Sequence, residues 1–87
     1  MSRDALELMG FAAIGDDVRL SDRASIYGAS RIALGSHVRI DDFCVLSAGA
    51  GGIEIRDHVH VAVYASLMGA GRITVAAFAN LSSRVAV

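Results

Sequence analysis

The sequence predicts an all-β fold: a triangular solenoid in which three short parallel strands make one coil. Three observations predict it. Aliphatic residues recur every six positions in four sets: Ile14, Leu20 and Ile26; Leu34, Ile40 and Leu46; Ile55, Val61 and Leu67; Val75, Leu81 and Val87. The sets begin at 14, 34, 55 and 75, so a longer period of 20 or 21 residues encloses the shorter one. Four places after a marker the residue is usually small or β-branched, as at Val18, Ala24, Val38, Cys44, Val59, Ala65 and Ala79. Self-similarity at such a period marks stacked repeats. One coil cannot bury its aliphatics alone. Coils stacked at the strand spacing of about 4.8 Å line them into continuous inward ladders. An antiparallel sandwich, the other all-β solution, does not require a six-residue register held along the chain.

The elements follow in order. Ser2 suits a helix N-cap, Leu6 and Met9 share a face, and Gly10 suits the C′ position, so residues 1–10 are expected to form a short cap helix. Such a helix would cover the open strand edge of the first coil. Residues 11–87 are expected to form the solenoid, about three and a half coils. Ile32, Ile53 and Ile73 each precede a marker by two, the alternation of a strand. The small fourth-position residues are expected to turn the corners. Gly28, the run Gly49–Gly52, Gly69 and Gly71 are expected where the backbone needs unusual dihedrals. The chain stops at Val87, one side short of a fourth coil, which predicts the first part of a longer protein.

Composition narrows the function. With 87 residues there is room for one domain. A net charge of −1, with 20% charged residues, argues against a nucleic-acid partner, which calls for a basic patch. One cysteine excludes an intrachain disulfide and a multi-cysteine zinc site. No apolar run is long enough to span a membrane, and the N-terminus has no signal-peptide core. The expectation is a soluble, cytoplasmic protein without nucleic-acid or membrane partners.

The stretches IGDDVRLSDRASIYG, LGSHVRIDDFCVLSAG, GIEIRDHVHVAVYASLMGAG and ITVAAFANLSSRV resemble the hexapeptide-repeat acyltransferases, whose fold is a left-handed parallel β-helix. Left-handedness is an implication of that resemblance, since general rules favour right-handed crossovers. The stretches look most like the sugar O-acetyltransferase branch, with its galactoside, maltose and polysaccharide acetyltransferases. The resemblance implies a homotrimer, acetyl-CoA as acyl donor in the groove between neighbouring β-helices, a sugar acceptor, and no metal. It also implies a histidine that deprotonates the acceptor hydroxyl or amine. In the galactoside and maltose branch that histidine matches a position near Arg72, and in the nucleotide-amino-sugar branch one near Gly51; neither is histidine here.

That leaves a base beyond residue 87, no base at all, or His60, which the resemblance makes the best functional candidate in the chain. It lies five after Ile55, on an outward strand position, and the amino-sugar branch carries a histidine at this register. Arg19, Arg39, His60 and Asn80 form one outward column, able to meet the CoA phosphates or to pair with nearby aspartates. Arg31 and Arg72 form a second basic pair at the third corner. Asn80, Ser82 and Arg72 are the expected donor-binding residues, and Asp41 the expected acceptor contact by the same resemblance. Asp42 beside it should point the other way. His37 and His58 stack one coil apart and would need a third ligand to hold a metal. Phe43, Tyr64 and Phe78 share one offset and are expected to form a packing ridge or part of a trimer contact. Cys44 reads as core, since nothing near it lowers its pKa. Transfer of an acetyl group from acetyl-CoA to a sugar hydroxyl or amine is the expected activity. The alternative is a β-helix that only folds and associates.

Overall fold

A computed structural model describes residues 2–69 and 71–81. The chain is a left-handed parallel β-helix preceded by one short helix. Helix α1 (Arg3–Leu8) is capped by the Ser2 side chain, which accepts from the Ala5 N–H, and is followed by Gly10 at φ 77°. Its Leu6 is buried with the solenoid core, and the Arg3 guanidinium donates to the Gly15 carbonyl at 2.6 Å.

Among the described residues, eleven strands make three sides. The first side stacks β1 (Ala13–Ile14), β4 (Ile32–Leu34), β7 (Ile53–Ile55) and β10 (Ile73–Val75). The second stacks β2 (Arg19–Leu20), β5 (Arg39–Ile40), β8 (His60–Val61) and β11 (Asn80–Leu81). The third stacks β3 (Ser25–Tyr27), β6 (Val45–Ala48) and β9 (Ser66–Gly69). The described residues thus hold three coils and two sides of a fourth.

Register follows the aliphatic markers. Ile14, Leu34, Ile55 and Val75 pair in sequence on the first side. Leu20, Ile40, Val61 and Leu81 do so on the second, and Ile26, Leu46 and Leu67 on the third. Val87 lies outside the described residues. The middle rungs are fully buried, because each is covered by a coil above and a coil below; Ile14, Ile26 and Leu81 at the ends are only partly buried.

The corners differ from expectation. The fourth-position residues do not turn the chain. Val18, Val38, Cys44, Val59 and Ala65 point inward and are buried, because four residues past a marker the strand has already bent and faces the core again. The turning residue is the one before, in the left-handed region: Asp17, His37, His58 and Phe78 at the first corner, Phe43 and Tyr64 at the second. Such a backbone costs about 1–3 kcal/mol for a residue with a side chain. Two interactions offset it. Each turning residue of an inner coil donates its N–H to the coil before it, as His37 does to Asp16 at 2.8 Å and His58 to Ser36 at 2.9 Å. The rings also stack: His37 on His58 at 4.8 Å, His58 on Phe78 at 4.8 Å, and Phe43 on Tyr64 at 5.2 Å. The expected aromatic ridge is therefore two ridges at two corners, with Phe78 stacked on histidine.

Among the described residues of the third corner, Gly28 (φ 73°) and Gly52 (φ 78°) take the left-handed backbone; Gly49, Gly51, Gly69 and Gly71 do not. A 3-10 turn at Ala29–Arg31 follows Gly28. Gly35 matters for a different reason: a Cβ there would sit 2.7 Å from the Arg56 carbonyl carbon of the next coil. No helix among the described residues is long and apolar enough to cross a membrane.

Candidate functional site

His60 begins β8, one residue before the buried Val61, so alternation turns it outward. Its strand neighbours in register are Arg39 and Asn80, and Arg39 in turn pairs with Arg19. The outward column read from the sequence is therefore a physical ladder on the second side.

Asp41 joins that ladder from the corner after β5. Its N–H donates to the Val61 carbonyl at 3.0 Å, which sets the residue beside β8. One carboxylate oxygen (Oδ2) lies 2.8 Å from His60 Nε2, and the other (Oδ1) accepts from Arg39 Nε at 2.8 Å. The carboxylate is only 22% exposed, the imidazole 40%. Partial burial works to raise the Asp41 pKa. The hydrogen bonds from His60 and Arg39 and the guanidinium charge outweigh it and hold the carboxyl below the ordinary range. An ionised carboxylate only accepts, so His60 Nε2 carries the proton and Nδ1 is the basic atom of the neutral ring. Asp42 turns away and accepts from Ser21 Oγ, with the Arg23 guanidinium 3.9 Å off. The two adjacent aspartates do not cooperate.

The Asp41 pKa sets an acid dependence. Its folded value is depressed, so the stabilisation is complete above the unfolded value of about 3.9 and drains as pH falls through the lower folded value. Asp41→Asn is expected to be less stable at neutral pH and to lose that part of the acid limb. Denaturant melts between pH 2 and 7 check this; parallel pH curves for the two proteins would refute it.

An open groove of about 360 Å³ runs beside the ladder, lined by Val18, Arg19, Leu20, Ser21, Arg39, Ile40, Asp41 and Asp42. Asp41 is its link to His60.

The other expected site residues fall elsewhere. Asn80 is exposed on β11, next to His60. Arg72 lies at the other end of the first side and donates to Glu54 at 3.2 Å, a carboxylate that Arg56 approaches at 3.5 Å. Two guanidinium groups on one carboxylate leave the cluster positive, the sign a phosphate-bearing donor requires. Arg31 and Arg72 do not form the expected pair. They precede Ile32 and Ile73, two coils apart, and Arg31 binds the Ala48 and Gly49 carbonyls. Ser82 lies outside the described residues. Cys44 is buried, its thiol donates to the Ala62 carbonyl at 3.0 Å, and burial pushes its pKa up. His37 and His58 are stacked, and His37 Nδ1 lies 3.1 Å from Asp17. The His37 hydrogen bond and the Arg19 charge hold the Asp17 carboxyl low. Among the described residues, no group of three or more His, Cys, Asp and Glu side chains could hold a metal ion.

The Arg39 clamp on Asp41 is the pairing with nearby aspartates that the sequence offered for this column. Sequence reasoning missed a relay along the first corner, where Ser36 Oγ accepts the Asp16 N–H at 3.0 Å and Asp57 Oδ1 accepts the Ser36 N–H at 2.8 Å. Its signal was an oxygen-bearing residue two places after three of the four first-side markers, Asp16, Ser36 and Asp57; Ala77 breaks the series.

No family model matches the chain. A dTDP-4-amino-4,6-dideoxy-D-glucose acyltransferase from Escherichia coli is 54% identical over 82 residues, 94% of this chain and 43% of that protein. Two solved structures are of point mutants of AntD, an N-acyltransferase from Bacillus cereus. One, in complex with dTDP and coenzyme A, matches at TM-score 0.92 and 40% identity. Another, with dTDP-4-amino-4,6-dideoxyglucose and coenzyme A, matches at TM-score 0.91 and 41% identity. Both alignments cover 99% of this chain and 45% of AntD, so the chain spans less than half the length of the relatives it matches.

Proposed function

We propose that this chain is the β-helical part of an acyltransferase that moves an acyl group from an acyl-CoA thioester to the amino group of a nucleotide-linked amino sugar, with His60 as general base. The observation that carries the reading is the His60–Asp41 contact of 2.8 Å on the outward ladder. A histidine held by an ionised carboxylate beside an open groove is equipped to take a proton at its free nitrogen. Support for the substrates comes from the relatives: the AntD complexes hold coenzyme A, and one also holds an amino sugar joined to dTDP. These relatives are N-acyltransferases by description, which favours an amine over a hydroxyl as acceptor. Acetyl as the acyl group and the trimer, both implied by the sequence resemblance, and the cytoplasmic location expected from composition belong to the same proposal.

In this mechanism the acyl-CoA supplies the carbonyl carbon. His60 Nδ1 accepts the proton from the attacking amine as the C–N bond forms. Asp41 stabilises the resulting imidazolium and keeps the ring from rotating, a role beyond the acceptor contact expected of it. As the C–S bond breaks, His60 returns its proton to the sulfur, so base and acid are one residue. The positive Arg56–Glu54–Arg72 cluster and Asn80 are the groups of this chain suited to the donor.

The test is release of free thiol from an acyl-CoA in the presence and absence of dTDP-4-amino-4,6-dideoxyglucose, using the full chain. Release that requires the amino sugar is the expected result. Release independent of the sugar, or none with it, would overturn the proposal, and the second outcome would leave a β-helix that only folds and associates.

A further inference from the structure

We propose that Arg19 and Arg39 form a two-rung diphosphate site that grips the nucleotide end of the acceptor. The inference rests on the acyl-transfer reading and specifies how its acceptor is held. Arg19 and Arg39 are register partners on β2 and β5, so their side chains leave the same face of neighbouring strands, about 4.8 Å apart at the backbone. Each is held from one side only. Arg19 Nε lies 3.5 Å from Asp17 Oδ1, and Arg39 Nε donates to Asp41 Oδ1 at 2.8 Å. Among the described residues nothing takes the Nη groups of either, and the two side chains are 76% and 64% exposed. A guanidinium fixed through Nε keeps its Nη fork for a planar or tetrahedral anion. The pair is flanked by open space on both sides: the groove of about 360 Å³ toward Asp41, and a smaller hollow of about 170 Å³ toward His37.

Two phosphates joined by one oxygen fit two cations about 4.8 Å apart, the spacing of neighbouring strands. Asp17 and Asp41 lower the local charge, but each is already engaged by a histidine as well as by its arginine. Asp42 is turned to Ser21 and Arg23. The next rung is His60. In a sugar nucleotide the pyranose ring separates the diphosphate from its 4-substituent, a span comparable with one rung of about 4.8 Å. A diphosphate on Arg19 and Arg39 therefore brings the 4-amino group to His60. The ladder acts as a ruler from phosphate to base.

Coenzyme A also carries a diphosphate, so the test separates the two sources. Binding of dTDP, dTMP and coenzyme A to the full chain is measured by titration calorimetry for the native protein, Arg19→Gln, Arg19→Lys and Arg56→Gln. The native protein is expected to bind dTDP more tightly than dTMP. Arg19→Gln weakens dTDP roughly tenfold or more, the size of a lost charge-assisted hydrogen bond. Arg19→Lys, which keeps the charge without the fork, falls between. Coenzyme A binding is unchanged by both, and Arg56→Gln leaves dTDP binding unchanged. Undiminished dTDP binding in Arg19→Gln, or a loss confined to coenzyme A, overturns the inference while the acyl-transfer reading stands. A native protein that binds neither ligand overturns both.

Discussion

His60→Ala is expected to slow acyl transfer about 10²–10⁴-fold, the range for losing a positioned general base. The melting temperature should fall only slightly, because the side chain is 40% exposed and its loss removes one part-exposed contact with Asp41. Asp41→Asn separates orientation from basicity. An amide can offer an N–H to the ring, which then presents Nε2 as acceptor and places its proton on Nδ1, the wrong nitrogen for the reaction. Its rate should therefore fall well below native although His60 is intact. Steady-state kinetics with matched thermal melts distinguish these outcomes. Native rates in His60→Ala would remove the histidine from the chemistry. A loss of rate that tracks a loss of folding would reduce the pair to a structural role.

Leu46→Ala is expected to destabilise the fold by about 2–5 kcal/mol. Leu46 is fully buried and pairs with Ile26 on one face and Leu67 on the other. Truncation opens a cavity that touches both neighbouring coils, and each interface holds up the next in a linear repeat. Ile26→Ala removes an aliphatic of the same size from the same ladder. Its cost should be smaller, because Ile26 is partly exposed and has a strand partner on one side only. Urea melts of the two variants give the comparison. Equal costs would mean that burial along the ladder does not set stability here.

Much of this fold was legible because a solenoid writes its geometry into spacing. The six-residue register names the inward residues, and the longer period names their partners. Ile40 opposite Val61, or Leu46 opposite Leu67, is arithmetic. The corners were not legible in the same way. Small residues at the fourth position resemble turn-formers, yet they are small because they fill the narrow inner angle of the triangle. The left-handed backbone falls on Asp17, His37 and His58, types that tolerate it, but also on Phe43, Tyr64 and Phe78, bulky types that local propensity disfavours there. Stacking and bonds to the neighbouring coil, both non-local, decide the matter.

The site divides likewise. That His60 stands outward beside Arg39 follows from register. That it meets Asp41 does not, because a separation of 19 residues is neither ladder period. The contact depends on the corner after β5 folding its first residue back beside the next strand, an arrangement that neither period encodes. Arg31 shows the opposite failure: a cation at a promising corner turned out to bind the carbonyls of Ala48 and Gly49.

The most direct test of the account is a crystal structure of the full protein with coenzyme A and dTDP-4-amino-4,6-dideoxyglucose bound. The account predicts the 4-amino nitrogen within about 2.6–3.2 Å of His60 Nδ1, the reach of a general base, with Nε2 still on Asp41. An amine placed on another side of the triangle, out of reach of His60 even through one water, would contradict it.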